Sequence, residues 1–210
     1  MDALMTGISG NIGIIGGTFD PPHIGHLILA ETAADVLSLD RVLFAPAADP
    51  PHKQHHKQQG AMTPAPQRVA MVERAIAENP RFALSRVDLD REGPHYTVDM
   101  LRLLCEESPT AQLYFLMGGD SLADFPKWRD PEGILALARL AVIRRPGDAV
   151  SFEALRAVIP QIEERAVIMD APLMSLSGYS VRALIAAGRS VRYQIPDPVA
   201  AYIRDMGLYR

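Results

Sequence analysis

One cysteine, Cys105, occurs in 210 residues, so no internal disulfide can form and no CxxC metal or redox pair exists. With no activating neighbour, its thiol reads as a small buried hydrophobe. No uninterrupted apolar segment reaches the length of a membrane helix, and the opening MDALMTGISG lacks the basic start and apolar block of a secretory signal. A cytoplasmic protein is expected. Positive charge is not in excess either. The 21 Lys and Arg against 25 Asp and Glu give a formal net charge of −4, which argues against broad adhesion to nucleic acid or to a membrane. Any anion site must therefore be local. Familiar phosphate fingerprints are missing as well: no GxxxxGKS or GxxxxGKT occurs, and GIIGGTF is not GxGxxG. The run VLFAPA does not end in the acidic residue that would hold the ribose of a redox dinucleotide, which weakens an oxidoreductase reading.

What the chain does contain is alternation. Short β-rich runs recur at Ile12–Gly17, Arg41–Pro46, Phe82–Leu89, Gln112–Gly119, Leu140–Pro146 and Ala166–Pro172. Helical periodicity fills Pro66–Asn79 and Tyr96–Ser108 between them. Nearly continuous apolar strands are buried on both faces, so the pattern predicts a Rossmann-like, doubly wound α/β fold with a mainly parallel sheet and helices on both sides. The length suits one domain over 1–210. Residues 1–10 read as a short extension. Residues 176–210 read as a small helical part with helices near Tyr179–Ala187 and Asp197–Met206. Residues 45–66, proline-rich and without period, read as a mobile functional loop or a disordered insert. Ligands of such sheets bind at the carboxyl ends of the strands, where GGTFDPPHIGH, APAADPPHK, GGDS and RRPGD would fall.

The first of these segments carries the most chemistry. Gly16 and Gly17 at a strand end let a ligand approach bare backbone. A helix starting near Pro22 would bring unpaired N–H groups and the positive end of its dipole to the same spot. His23 and His26 would project from one face of its first turn, with Gly25 keeping that surface flat. Two imidazole donors, a helix N-terminus and open backbone together suit a polyphosphate whose charge shifts during reaction. The pair could instead be two ligands of a metal site, but no further ligand adjoins them at suitable spacing. His52, His55 and His56, in the proline-rich loop, read as exposed rather than as metal ligands. No metal held by protein ligands is therefore expected.

The stretch GGTFDPPHIGHL resembles the phosphate-binding segment of the HxGH nucleotidyltransferase superfamily, and within it the bacterial nicotinate mononucleotide adenylyltransferase family. PHK (Pro51–Lys53), REGPHYTVDML (Arg91–Leu101), FLMGGDSL (Phe115–Leu122), Trp128 and RRPG (Arg144–Gly147) follow in that family's order and spacing. The resemblance implies adenylyl transfer from ATP to nicotinate mononucleotide, with His23, His26, Lys53 and Arg182 as the catalytic cations. It implies an ATP site at Gly16, Gly17, Thr18, Phe19, Gly25, Gly118, Asp120 and Ser177. Tyr96, Thr97, Trp128 and Arg145 would meet the pyridine nucleotide, and Mg2+ would arrive with ATP. Two departures stand out. His95 replaces the usual serine, and LSGYSVR (Leu176–Arg182) replaces ISSTxIR, so Gly178 and Tyr179 lack two hydroxyls that Ser180 or backbone N–H groups would have to replace.

A phosphate monoester is already largely dianionic near neutral pH, so such a reaction needs no general base. That agrees with the absence of a Ser-His-Asp set or an activated cysteine. Nicotinamide mononucleotide or phosphopantetheine remain alternative acceptors, and a non-catalytic nucleotide-sensing module is the alternative of another class. Oligomeric state stays open, a homodimer included.

Overall fold

The computed structural model describes residues 9–48, 62–143, 152–170 and 176–210. Strand β1 (Gly10–Gly17) lies between β2 (Arg41–Pro46) and β4 (Ala111–Gly118). β3 (Phe82–Leu84) flanks β2 on one side, while β5 (Ala138–Ile143) and β6 (Ala166–Met169) extend the other. The order is β3-β2-β1-β4-β5-β6 and every pairing is parallel. The direction in which strands are added reverses between β1 and β4. At that point a crevice opens outside their carboxyl ends.

Successive strand residues serve opposite faces. Ile12 and Ile14 of β1, Leu43 of β2, Leu113, Phe115 and Met117 of β4, and Leu140 and Val142 of β5 join one core. On that face they meet α3 (Thr97–Glu107), α4 (Gly119–Asp124), α5 (Pro131–Leu137) and α6 (Phe152–Val158). Ile15, Val42, Phe44, Leu116 and Ile143 face the other way, onto α1 (Ile24–Val36) and α2 (Ala65–Ile76). Burial on both faces is why these runs read as continuous rather than alternating, and each large aliphatic side chain so covered stabilises the fold by roughly 1.5–3 kcal/mol. A third, smaller core joins Met71 of α2 to Val181 of α8 (Gly178–Ala186) and to Val199 and Ile203 of α9 (Asp197–Asp205). It seats the C-terminal part against α2. The remaining helix, α7 (Ile162–Arg165), leads into β6.

Several boundaries differ from the sequence expectation. The expected strand from Phe82 to Leu89 stops at Leu84: Ser85 N–H makes a last bond to β2, on the Phe44 carbonyl (2.8 Å), and the chain then turns, with Leu89 N–H on the Arg86 carbonyl (2.7 Å). α1 begins at Ile24 rather than near Pro22, since His23 is still extended (φ −135°, ψ 168°). Gly10 belongs to β1 rather than to an extension, Ala45 and Pro46 complete β2, and Ala65 already opens α2. β5 starts two residues before Leu140. Cys105 is half-buried, its Sγ 3.9 Å from the Leu137 carbonyl, and burial followed by the nearby Glu106 pushes its pKa up.

Candidate active site

From the carboxyl end of β1 the chain passes through exposed Gly16 to Phe19, which takes the left-handed region (φ 48°) that non-glycine residues seldom occupy. Phe19 is 1% exposed, and its ring packs against Phe44 (5.7 Å between centroids) and against His26 (5.0 Å, edge-on). The side chain expected at the ATP site is thus a core group that backs a histidine. The two histidines meet directly. His23 caps α1, and its N–H donates to His26 Nδ1 at 3.1 Å. The rings stack 3.7 Å apart at 23°. With Nδ1 accepting, a neutral His26 carries its proton on Nε2, which makes that nitrogen a donor. Gly25 gives the same stack room: a Cβ there would lie 3.1 Å from His23 Nδ1, so the ring would have to give by a few tenths of an ångström.

Asp20, 6% exposed, ties four parts of the chain together. Its Oδ1 accepts from the Tyr209 hydroxyl (2.6 Å) and its Oδ2 from Thr63 N–H (3.3 Å). Arg182 of α8 donates to the Asp20 carbonyl (2.5 Å) and lies 3.7 Å from Oδ2. This tether brings Arg182 to the segment carrying the histidines, though 162 residues separate it from Asp20. α8 starts at the same place. A Cβ at Gly178 would stand 2.6 Å from the Asp20 carbonyl oxygen, so glycine is what lets the helix N-terminus approach. Ser177 caps α8 by accepting from Ser180 N–H (3.1 Å), and the Ser180 hydroxyl returns to Ser177, accepting from its N–H (3.1 Å). Ser180 therefore closes a capping box instead of replacing the lost hydroxyls. Tyr179 is 56% exposed.

Behind this surface lies Arg68, which is fully buried on α2. Its guanidinium donates to the carbonyls of Thr18 and Ala47 (both 2.8 Å), Thr63 (2.8 Å) and Ala48 (3.3 Å). One side chain thus joins the loop after β1, the loop after β2 and the entry to α2. Burial pushes its pKa down, with the Asp20 carboxylate opposing.

Across the β1/β4 crevice, Gly118 ends β4 with open space beside it, and exposed Asp120 sits in the first turn of α4. Thr97 opens α3, as expected, with Tyr96 in the capping position. The turn before them is braced by Arg91, which pairs with buried Asp88 (2.7 Å) and donates to the carbonyls of Pro94 (3.1 Å) and Tyr96 (3.3 Å). Desolvation pushes the Asp88 pKa up, opposed by Arg91. His95 folds back onto that turn, Nε2 lying 3.2 Å from the Arg91 carbonyl oxygen. Trp128 packs edge-on to Phe115 (5.8 Å) and Phe125 (5.6 Å). A cavity of about 450 Å³ adjoins, lined by Tyr96, Arg102 and Arg129 among others. Arg102 is paired with Asp99 (3.0 Å) and Asp130 (3.1 Å), whereas the Arg129 guanidinium lies 5.9 Å from the Tyr96 ring centroid.

Lys53 and Arg145 lie outside the described residues, as do His52, His55, His56 and Arg144. Among the described residues no group of three or more His, Cys, Asp and Glu gathers as a metal site, and no helix is long and apolar enough to cross a membrane. Sequence reasoning missed Asp20, Arg68, Tyr209, Arg91 and Arg129. Asp20 stands inside GGTFDPPH, where its acidity was a usable signal. The others act through contacts distant in sequence or through a turn that periodicity does not register.

Comparison with known proteins supplies the family. The cytidylyltransferase-like family matches over residues 14–184. A "probable nicotinate-nucleotide adenylyltransferase" of Thermomicrobium roseum is 47% identical over 95% of this chain and 91% of its own. One of Roseiflexus sp., described in the same words, is 45% identical over 96% and 99%. Among solved structures, the nicotinic acid mononucleotide adenylyltransferase of Plasmodium falciparum complexed with NaAD superposes with a TM-score of 0.76, at 18% identity, covering 95% of this chain and 97% of that one. At that identity the likeness is one of fold.

Proposed function

The chain belongs to the cytidylyltransferase-like family and to the nicotinate-nucleotide adenylyltransferases within it, and on that premise we propose that it transfers the adenylyl group of ATP to nicotinate mononucleotide, releasing pyrophosphate and forming nicotinate adenine dinucleotide. The observation that carries the mechanism is the stacked His23–His26 pair at the start of α1, with Arg182 brought to the same segment through Asp20. The phosphate of nicotinate mononucleotide attacks the α-phosphorus of ATP, one P–O bond forms as the bond to pyrophosphate breaks, and no proton has to be removed first. His26 Nε2–H and Arg182 donate to the phosphate oxygens as charge moves toward the leaving group. By resemblance Lys53 adds a point charge, and Gly16, Gly17 and Gly118 let the nucleotide lie on bare backbone. Asp20 is engaged by Tyr209, Thr63 and Arg182. That leaves Mg2+ to enter as part of the nucleotide substrate, held by phosphates and water.

Tyr96, Thr97, Trp128 and Arg145 form the pyridine side of this reading, and Arg129 adds positive charge suited to a carboxylate. A biosynthetic enzyme of this kind works in the cytoplasm. The test is pyrophosphate release with MgATP and, separately, nicotinate mononucleotide, nicotinamide mononucleotide and phosphopantetheine. Strong preference for the first supports both reaction and acidic pocket. Equal use of the two pyridine nucleotides removes the role given to Arg129, and inactivity with all three overturns the reading.

A further inference from the structure

The C-terminal part holds a second cavity, of about 730 Å³, between the loop that follows α8 and helix α9. Its volume lies within the roughly 300–1,000 Å³ typical of small-molecule sites. Arg189 and Arg192 of the loop, Arg204 of α9 and Arg210 at the end of the chain line it, against one carboxylate, Asp197. Four arginines lining one opening are unexpected in a chain of net charge −4. Nothing in the transfer reaction uses them. All four residues are exposed, and their contacts are slight: Arg204 lies 3.7 Å from Asp205, Arg210 reaches the Arg204 carbonyl at 3.5 Å, and Arg192 stands 5.6 Å from the Tyr193 ring centroid. Their charge is thus available to a ligand. The rest of the lining includes Ser190 and the half-buried apolar side chains of Ile185, Val191 and Leu208.

We propose that this cavity is a second nucleotide site, distinct from the transfer site, that takes the phosphates of a nucleoside polyphosphate on its arginines and the base on its apolar side chains. The planar guanidinium fork suits bidentate phosphate contact, and a base is the flat apolar partner that such side chains cover. A ligand without an apolar body would leave them unused.

The cavity is also wired to the transfer site. Gln194, next to the lining residue Ile195, accepts from Ile24 N–H at 2.9 Å, and Ile24 is the first residue of the helix that carries His26. Tyr209, between the lining residues Leu208 and Arg210, donates to Asp20 at 2.6 Å. Occupancy therefore biases both the His23–His26 turn and the anchor of Arg182, and the coupling is reciprocal.

The test is equilibrium dialysis of the full chain with ATP, counting sites, for the wild type and for two double variants, Arg189→Glu with Arg192→Glu and Arg204→Glu with Arg210→Glu. Two sites per chain are expected in the wild type and one in each double variant. Inorganic triphosphate should bind the second site at least about tenfold more weakly, since it leaves the apolar surface uncovered. One site in the wild type, a second site that survives both variants, or triphosphate binding as tight as ATP would each overturn the proposal. If one variant fails to fold, the other decides. In turnover, the wild-type rate should depart from a single hyperbola in ATP, and the variants should restore it; a wild-type hyperbola alongside two-site binding would sink the coupling. The site count needs no turnover, so a failure of the adenylyl-transfer reading leaves this result interpretable, and the reverse also holds.

Discussion

The hydroxyl of Tyr209, the penultimate residue, donates to the carboxylate of Asp20 at 2.6 Å, closing a contact across 189 residues. Asp20 in turn holds Arg182 and Thr63, so the end of the chain helps fix the arginine beside the histidine turn. Burial, followed by this hydrogen bond, pushes the Tyr209 pKa well above its ordinary value of 10.0. The folded state thus keeps the phenol proton at pH values where the unfolded chain has released it. Stability from this group is complete below pH 10 and falls as pH rises above it, by up to about 1.4 kcal/mol per pH unit. Urea unfolding of the wild type and Tyr209→Phe should show a constant gap of roughly 1–2 kcal/mol below pH 10 that narrows at higher pH. A gap that widens with alkalinity would contradict the assignment.

Arg68→Met removes the donor shared by four carbonyls, of which that of Thr63 is buried and the other three are half-buried. A loss of several kcal/mol is expected, since each unsatisfied buried group costs about 1–3 kcal/mol. Arg68→Lys should recover part of the stability but, lacking the planar fork, not the ATP KM. Thermal unfolding and ATP kinetics on both variants check this; an unchanged melting temperature in Arg68→Met would mean that the three loops do not depend on the guanidinium.

His26→Ala should lower kcat by about 10²–10³ while changing ATP affinity far less, the pattern of a donor that acts chiefly in the transition state. Isothermal titration set beside steady-state rates separates the two. If affinity and turnover fall together, His26 serves ground-state binding.

Gly178→Ser restores the serine of the resembled pattern, and the expected result is damage. The new Cβ meets the Asp20 carbonyl oxygen at 2.6 Å, so α8 must withdraw and carry Arg182 with it. A raised ATP KM and a lower melting temperature are the expected outcome, whereas tighter ATP binding would show that the helix N-terminus has room for the hydroxyl.

The sequence by itself determined the parallel sheet and pointed to the candidate site. Ile12, Ile14 and Ile15 are apolar because both faces of β1 are covered, and that leaves a continuous run any reader of the chain can find. Gly16–Gly17 followed by His23 and His26 marks the strand-to-helix passage, because bare backbone and paired imidazoles at that spacing have local chemical meaning. Limits of elements were less legible: periodicity does not say that Ser85 turns to Phe44, or that His23 remains extended. Only the tertiary structure decided that Phe19 lies behind His26 and that Gly25 and Gly178 are there for close approach rather than for freedom of φ. It alone brought Tyr209, Arg182 and Thr63 to Asp20 and set Arg68 among the carbonyls of Thr18, Ala47 and Thr63. The physical reason is that a pattern of side chains reports which face of an element avoids water, whereas hydrogen bonds between segments far apart in the chain depend on how whole layers pack, and leave no periodic trace in either partner.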